Sequence, residues 1–184
     1  ERGATLVIHL GMSGRLTLSP AAAEREAHEH LSLRLDDGER LRLRDPRRFG
    51  IAFVAPTRGL EQERHFRHLG AEPLAPAVTG PQLSELARGR RGPVKSFLMD
   101  GRLLVGVGNI YATEALYRAG IHPARSVSRI GAERWQRLAD AVVATLEPAI
   151  PEGGTTLNDF RDGGGREGEF QESLAVYGRA GEAC

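Results

Sequence analysis

Two short turns carry side chains whose chemistry suits contact with something other than protein. The segment HLGMSG, residues 9–14, places the long apolar side chain of Met12 between two glycines, where a tight turn usually carries polar residues. Met12 therefore either fills a core or enters a partner that is not protein. The segment RDPRRFG, residues 44–50, groups three arginines ahead of Phe49. Arginine can hydrogen-bond base edges and an exposed phenylalanine can wedge between bases, whereas the alternative is an ion-paired turn with Phe49 in the core.

A third segment combines glycines with the start of a predicted helix. Residues 105–109, VGVGN, precede the helical pattern of IYATEALYRAG. Small residues let a backbone approach a phosphate, and a helix N-terminus offers free N–H groups and a positive dipole end. The segment is either a helix start aimed at a nucleic-acid backbone, half of a dinucleotide-binding fingerprint, or a purely structural turn. The fingerprint requires a parallel β-α-β unit, and the helical patterns on both sides of the segment argue against it.

The sequence contains no complete catalytic constellation. There is no serine elbow, no reactive cysteine near a histidine and no defensible carboxylate pair. The histidines His9, His28 and His30 have no metal-ligand spacing with cysteines or acids, so a hydrogen-bonded histidine is the default for each. Lys95 lies in the run Arg88–Arg102, which holds five cations against one acid. This basic patch indicates either phosphate contacts or a solvated helix face.

The composition is that of an ordinary globular protein. Of the 184 residues, 40% are hydrophobic and 27% are charged, and the formal net charge is +1. Overall charge therefore does not by itself indicate a polyanionic partner. No apolar run approaches the roughly 18 residues that suggest a membrane span. The single cysteine, Cys184, excludes an internal disulfide framework and suits a reducing compartment.

The elements that would position these residues change type along the chain. LVIHL and GIAFVAP predict strands, and leucines alternate with polar residues across an Asp37-Gly38 turn, which predicts a β-hairpin. The outward face of this hairpin is predicted to carry Arg34, Arg40, Arg42 and Arg44. After a Pro/Gly-rich stretch near residue 75 the hydrophobic period becomes helical.

The second part of the chain predicts helices joined by turns. PQLSELARGR and VKSFLMD predict short helices, and GNIYATEALYRAG predicts a helix with Asn109 as N-cap and Gly120 at its end. GAERWQRLADAVVATLEPAI predicts a long amphipathic helix. Its apolar stripe consists of Trp135, Leu138, Val142, Leu146 and Ile150. The glycine-rich segment after it predicts a long loop, which is usually functional or disordered.

Six segments, taken in order, resemble the bacterial formamidopyrimidine-DNA glycosylase family, whose members excise oxidised purines such as 8-oxoguanine and formamidopyrimidines. They are IHLGMSG, DPRRFG, HLGAEPL, FLMDGRLLVGVGNIYATEALYRAGIHP, EGGTTLNDF and VYGRAGEAC. The resemblance implies an α+β multidomain fold. Its parts would be the C-terminal part of an antiparallel β-sandwich (residues 1–75), a helix–two-turns–helix DNA-binding domain (residues 76–178) and the first residues of a zinc finger (residues 179–184).

Residue-by-residue matching to the family also implies a site. Met12, Arg47 and Phe49 would fill the gap left when a damaged base is flipped out of the duplex. Contacts with DNA are implied for His9, His28, Arg47, Arg91 and Asn109. The region around the extruded base is implied to include Ser13, Thr155 and Thr156.

The resemblance implies that the catalytic groups lie outside this chain. In the family an N-terminal proline attacks the sugar C1′ and forms a Schiff base, while a glutamate and a lysine assist. Glu1 does not match that glutamate, so no catalytic residue is assigned and the 184-residue chain alone is expected to be inactive, with weak, salt-sensitive DNA binding. Cys184 matches the first ligand of a four-cysteine zinc finger. The intact protein is expected to hold one structural zinc ion, which a single thiolate cannot bind.

The implied activity is that of a bifunctional DNA glycosylase and AP lyase in base excision repair. The expected partner is double-stranded DNA containing damaged bases. We expect a monomer without membrane association, in the cytoplasm of a bacterium and associated with the nucleoid. The alternatives are an endonuclease VIII-type glycosylase for oxidised pyrimidines, whose gap-filling residues differ, a non-catalytic damaged-DNA-binding module, and a nucleotide-cofactor enzyme interpreted from GVGNIYA.

Overall fold

The computed structural model describes residues 3–155 and 168–182. The chain forms two compact units, each built from two separate stretches of sequence. The β unit comprises Glu1–Glu63 and Glu152–Glu172, and the helical unit comprises Arg64–Pro151 and Ser173–Cys184. The domain boundaries expected at residues 75 and 178 stay predictions.

In its described residues, the β unit contains two antiparallel sheets. Its strands are β1 (Ala4–His9), β2 (Arg15–Pro20), β3 (Glu29–Arg34), β4 (Glu39–Arg44) and β5 (Ile51–Pro56). β1 pairs with β5 in a two-stranded sheet, and the three-stranded sheet has the order β2-β4-β3. All of these strand pairs are antiparallel. The predicted antiparallel β architecture is therefore confirmed, and the parallel unit required by a dinucleotide fingerprint is not formed by these strands.

The β3–β4 hairpin forms as its sequence predicts. Gly38 adopts a positive φ of 86° at the turn, and the Asp37 carboxylate accepts a hydrogen bond from the Glu39 amide at 2.9 Å. The prediction that Arg42 faces solvent is wrong, because its side chain is 4% exposed. The Arg42 guanidinium donates to the Ala23 carbonyl at 2.7 Å, so the segment after β2 covers it.

Four α-helices form in the described part of the helical unit. They are α1 (Gly80–Leu86), α2 (Val94–Leu98), α3 (Asn109–Ala119) and α4 (Ala132–Ala149). Two turns in residues 99–108 separate α2 from α3, which confirms the predicted helix–two-turns–helix arrangement. Short 3-10 helices occur at Leu60–Gln62, Val127–Arg129 and Phe170–Ser173.

Helix ends follow local capping chemistry. α1 begins with a capping box in which the Thr79 hydroxyl accepts from the Gln82 amide and the Gln82 side chain accepts from the Thr79 amide. Gly120 ends α3 in the left-handed conformation, as predicted. The prediction that Asn109 is the N-cap of α3 is wrong, because Gly108 occupies that position and Asn109 is the first helical residue.

The core of the helical unit lies where the four helices meet. Leu83, Leu98, Leu116 and Leu138 contribute one side chain from each helix, and each is at most 1% exposed. The Phe97 and Trp135 rings pack with centroids 5.5 Å apart. The predicted stripe of α4 is buried at every position except Ile150, which is 66% exposed. Ile150 is the C-cap residue of α4, one position beyond its last helical residue.

A buried carboxylate holds residues 175–177 against α3. Glu114 is 1% exposed, and its carboxylate accepts hydrogen bonds from the amides of Ala175, Val176 and Tyr177 at 2.8, 2.9 and 2.8 Å. A buried charge is tolerated only when hydrogen bonds replace its water. The three backbone amides supply these hydrogen bonds to the Glu114 carboxylate. The same bonds fix the backbone from Ala175 to Tyr177 against α3.

The substitution Glu114→Gln should destabilise the helical unit by roughly 1–3 kcal/mol, because a carboxamide turns a donor toward at least one buried amide that needs an acceptor. Thermal unfolding of the chain, followed by calorimetry, measures this loss. The matched substitution Glu147→Gln, on the exposed side of α4, should change stability by no more than roughly 0.5 kcal/mol. Equal stability of the two variants would show that the three hydrogen bonds contribute nothing.

Candidate nucleic-acid interface

One buried carboxylate joins the two turns that the sequence singles out. Asp45 is 3% exposed. One of its carboxylate oxygens accepts from the Ser13 hydroxyl at 2.7 Å, and the other accepts from the Gly50 amide at 2.7 Å. We call residues 9–14 the methionine turn and residues 44–50 the arginine turn. Asp45 therefore fastens the methionine turn to the arginine turn, although Ser13 and Asp45 are 32 residues apart in sequence.

Hydrogen bonds hold Asp45 in its charged form. The Ser13 hydroxyl contributes most to lowering the pKa of Asp45 below its usual value of 3.8, followed by the Gly50 amide, and the amides of Arg47 and Arg48 add to it. Burial acts in the opposite direction, because removal from water disfavours the charge. The carboxylate is thus a stable acceptor at neutral pH.

The two turns also approach each other through their backbones. Gly11 has a positive φ of 63°, and a Cβ atom placed there would lie 2.8 Å from the carbonyl carbon of Phe49. Only glycine allows both this conformation and this distance. The glycine of the methionine turn is therefore required by close packing against the backbone beside Phe49.

Three side chains project outward from the joined turns, and the arginine contacts the other two. Met12 is 70% exposed and Phe49 is 55% exposed. The guanidinium of Arg47 lies between them, with one nitrogen 3.7 Å from the Met12 sulfur and its carbon 4.7 Å from the Phe49 ring centroid. We call Met12, Arg47 and Phe49 the triad. The alternatives that placed Met12 or Phe49 in a core are wrong.

His9, at the end of β1, is exposed with a defined tautomer. Its Nδ1 atom accepts a hydrogen bond from the Gly11 amide at 3.1 Å. Because an accepting nitrogen carries no proton, the neutral ring has its proton on Nε2. His9 therefore presents an N–H donor away from the turn.

The remaining predicted residues of the β unit occupy different environments. His28 is exposed with a positive φ of 64°, and its carbonyl accepts from the Asp45 amide at 3.0 Å. Ser13 is 3% exposed and its hydroxyl is bound to Asp45, so it braces the turns. Thr155 is half-buried and forms an antiparallel bridge with Glu169. Thr156 lies outside the described residues.

The helical unit presents the predicted residues Asn109 and Arg91 on its own surface. Asn109 is exposed at the first position of α3, and its amide donates to the Tyr177 hydroxyl at 3.3 Å. Tyr177 is in turn fixed by its backbone bond to Glu114. The Arg91 side chain is exposed, while its carbonyl accepts from the Ser126 hydroxyl at 2.7 Å.

The basic patch of residues 88–102 is partly neutralised by local acids. Arg88 forms an ion pair with Glu85. Arg102 binds both oxygens of Asp100 at 2.9 Å, and this hydrogen-bonded guanidinium lowers the pKa of Asp100 to about 2. Arg88 and Arg102 are therefore already paired within the protein, which leaves Arg91 as the more accessible phosphate-binding candidate.

Sequence reasoning missed three residues that organise these surfaces. Asp45 was considered only as an ion-pair partner, although an acid beside a turn proline often accepts local amide bonds. Glu114 and Tyr177 carry no local signal that links them, because their contact spans more than 60 residues. Only the fold brings them to Asn109.

The part of the chain that the structure describes contains no group of three or more metal-ligating side chains. These residues do not fit a structural zinc ion, which needs four ligands. Cys184, the predicted zinc ligand, lies outside the described residues. None of the described helices is long and apolar enough to cross a membrane.

Two family models match the chain in separate regions. The formamidopyrimidine-DNA glycosylase N-terminal domain matches residues 1–52, and the formamidopyrimidine-DNA glycosylase H2TH domain matches residues 69–161. The second match covers the four helices of the helical unit.

Curated relatives match over nearly the whole chain. Formamidopyrimidine-DNA glycosylase of Xanthomonas campestris is 50% identical over 184 residues, which are 100% of this chain and 67% of the relative. That of Syntrophotalea carbinolica is 51% identical over 97% of this chain and 66% of the relative. The chain thus spans about two thirds of the length of these relatives.

Solved structures agree with these matches. The MutM (Fpg) protein of Thermus thermophilus is 40% identical with a TM-score of 0.87, over 99% of this chain and 67% of that protein. The Fpg protein of Lactococcus lactis, in complex with DNA containing an abasic site, is 30% identical with a TM-score of 0.88, over 98% of this chain and 66% of that protein.

A β unit with an exposed triad and a helix–two-turns–helix unit together define the H2TH class of DNA glycosylases. The family-model matches and the relatives narrow this class. The chain belongs to the formamidopyrimidine-DNA glycosylase family, a family of DNA repair enzymes.

The lowered pKa of Asp45 predicts acid-sensitive stability. Because the folded pKa lies below the unfolded value of about 3.8, the charged form adds stability above that value and the contribution is lost as the pH falls through the folded pKa. The variant Asp45→Asn should be less stable than the natural chain at pH 7, and the difference should narrow below about pH 4. Thermal unfolding between pH 7 and pH 2.5, roughly spanning that window, measures this. The control variant Asp36→Asn, at an exposed position, should show the same dependence of stability on pH as the natural chain. If the stability difference between Asp45→Asn and the natural chain stayed constant with pH, the lowered pKa of Asp45 would be contradicted.

Proposed function

We propose that this chain forms the DNA-reading part of a bifunctional DNA glycosylase and AP lyase that removes oxidised purines, 8-oxoguanine and formamidopyrimidines, from double-stranded DNA. The exposed triad carries this proposal. Folding places an arginine in contact with an exposed methionine and an exposed phenylalanine. Relatives about 50% identical are named formamidopyrimidine-DNA glycosylase. The formamidopyrimidine-type name of these relatives favours this activity over the endonuclease VIII-type alternative.

The triad has the chemistry needed to replace a flipped base. Extruding a nucleotide costs a few kcal/mol of stacking and pairing. Apolar wedges inserted between bases recover part of that cost, and the Arg47 guanidinium adds hydrogen-bond donors toward an unpaired base edge. We assign Met12 and Phe49 to the wedge and Arg47 to the facing base.

Phosphate contacts would hold the duplex against each unit. In the β unit, the Nε2–H group of His9 and the exposed His28 are donors beside the triad. In the helical unit, the Asn109 side chain lies at the start of α3, where free amides and the helix dipole favour an anion. The exposed Arg91 supplies a charge. The pocket for the extruded base would include Ser13, Thr155 and Thr156.

The wider assignments follow the same family. We propose a monomer that acts on damaged duplex DNA in the bacterial cytoplasm, close to the nucleoid. We also propose one structural zinc ion in the longer protein, with Cys184 as a ligand. Schiff-base chemistry requires an amine nucleophile, and we assign no catalytic residue among the described positions.

Alanine substitutions in the triad should weaken binding to a duplex that carries a tetrahydrofuran abasic analogue. A stacking contact with a base contributes about 1–3 kcal/mol, so Met12→Ala and Phe49→Ala should each reduce affinity by roughly five-fold or more. Fluorescence anisotropy at fixed salt measures the dissociation constants. Met99→Ala, which truncates the other exposed methionine, should bind like the natural chain. Equal losses on an undamaged duplex would indicate general binding, without a gap-filling role.

The variant Tyr177→Phe should loosen Asn109 and reduce affinity for the same duplex by roughly two- to ten-fold, the effect of one neutral hydrogen bond. Tyr117→Phe is the control, because Tyr117 lies exposed on α3 away from this contact. The same anisotropy titration measures both. Unchanged affinity of Tyr177→Phe would rule out a positioning role for its hydroxyl.

A further inference from the structure

One face of the β2-β4-β3 sheet is polar on all three strands. Residues that pair directly across strands share a face. Ser19 pairs with Arg40, which pairs on its other side with Arg34, and Thr17, Arg42 and Ser32 form the next row. We call these six residues the arginine face. The family roles implied for the turns assign no task to it.

Arg34 and Arg40 face each other across β3 and β4, and no described residue provides a counter-ion for either. Like charges placed directly opposite on a sheet destabilise it. Among the described residues, neither guanidinium has a carboxylate within ion-pair distance, although Arg42 lies 3.7 Å from Glu29. The structure thus retains an unfavourable pair at the hairpin end of the sheet.

Two further donors on the arginine face are unsatisfied. The Ser19 hydroxyl and the Arg42 Nε atom are buried and lack a hydrogen-bond partner in the described structure. Buried polar atoms are normally paired. Four donor groups on one face therefore lack an acceptor.

A cavity of about 390 Å³ opens beside the two unpaired arginines. The side chains that line it are Arg25, Glu29, His30, Ser32, Arg34 and Arg40, with Leu31. Glu29, the one acid, is engaged by Arg42 at 3.7 Å and by the Glu26 amide at 3.2 Å. The remaining lining is rich in cations and donors.

We propose that this cavity binds a phosphate group through Arg34 and Arg40, with the Ser32 hydroxyl as a further donor. A planar guanidinium group can donate two parallel hydrogen bonds to two oxygens of one phosphate. A bound phosphate would also reduce the repulsion between the positive charges of Arg34 and Arg40. The two guanidinium groups lie away from the triad, because Arg40 and Asp45 are five residues apart along an extended strand, roughly 16 Å. His30, at the other end of the cavity, contacts the Asp45 carbonyl with its Nε2 atom at 3.0 Å. The phosphate would come from a nucleic-acid backbone or from a free polyphosphate.

The proposal is tested with tripolyphosphate as the ligand, and the quantity measured is the midpoint temperature of thermal unfolding of the 184-residue chain. Tripolyphosphate should raise the midpoint saturably in the natural chain and in Arg58→Gln, an exposed arginine outside the face. The double variant Arg34→Gln/Arg40→Gln should show a clearly smaller rise, because it keeps only the phosphate-binding candidates outside the cavity. Without probe, its own midpoint should be higher than that of the natural chain, because the repulsion is gone.

A second variant separates charge from geometry. Arg34→Lys/Arg40→Lys keeps both charges but loses the forked donors, and should bind tripolyphosphate at least several-fold more weakly. No rise in the natural chain, or an equal rise in the Arg34→Gln/Arg40→Gln variant, overturns the proposal. These outcomes do not depend on the repair function, because Met12→Ala should leave the rise unchanged.

A titration with undamaged duplex distinguishes the two sources of phosphate. If the site holds one phosphate of the DNA backbone, the plot of log affinity against log salt should become shallower by about 0.9 in the Arg34→Gln/Arg40→Gln variant, the contribution of one phosphate contact. An unchanged slope, together with the smaller tripolyphosphate effect, assigns the site to a free polyphosphate.

Discussion

The buried carboxylate of Asp45 is the constraint on which the candidate interface depends. The methionine turn and the arginine turn are distant in sequence, and each is too short to hold its conformation alone. Asp45 accepts one donor from each side of this junction, Ser13 and Gly50. Because the Ser13 hydroxyl and the Gly50 amide are satisfied beneath the turns, the side chains of the triad are left on the outside. The exposure of Met12 and Phe49 thus follows from the hydrogen bonds that Asp45 accepts beneath them.

Local patterns were enough to predict most elements. The leucine alternation and the Asp37-Gly38 turn specify the β3–β4 hairpin, since both act within a few residues. Gly120 ends α3 for the same reason. Two local predictions were wrong, the N-cap of α3 and the exposure of Arg42. Gly108 caps α3 in place of Asn109, and the segment after β2 buries Arg42, which no alternation pattern reveals.

The candidate site was predictable only in part, for a related reason. Residue types identified Met12, Arg47 and Phe49 as unusual, but a core position and an exposed position were equally compatible with their local sequence. The choice depends on how two turns meet, which is a long-range property. The same holds for Glu114, whose three amide partners lie some 60 residues later. A single buried acid can hold a loop in place through its hydrogen bonds. Such an acid leaves no periodic pattern in the sequence, so it cannot be predicted as a strand or helix can.

The order of the two units along the chain limits how this protein can be taken apart. The chain passes from the β unit to the helical unit after Glu63, returns at Glu152, and crosses again at Ser173. Neither unit is a continuous stretch, so neither can be excised by cutting at one point. A shortened chain that stopped at Pro151 would leave Glu114 with a buried charge and none of its three amides. To exchange one unit for that of a relative, the chain must therefore be joined at all three crossings at the same time.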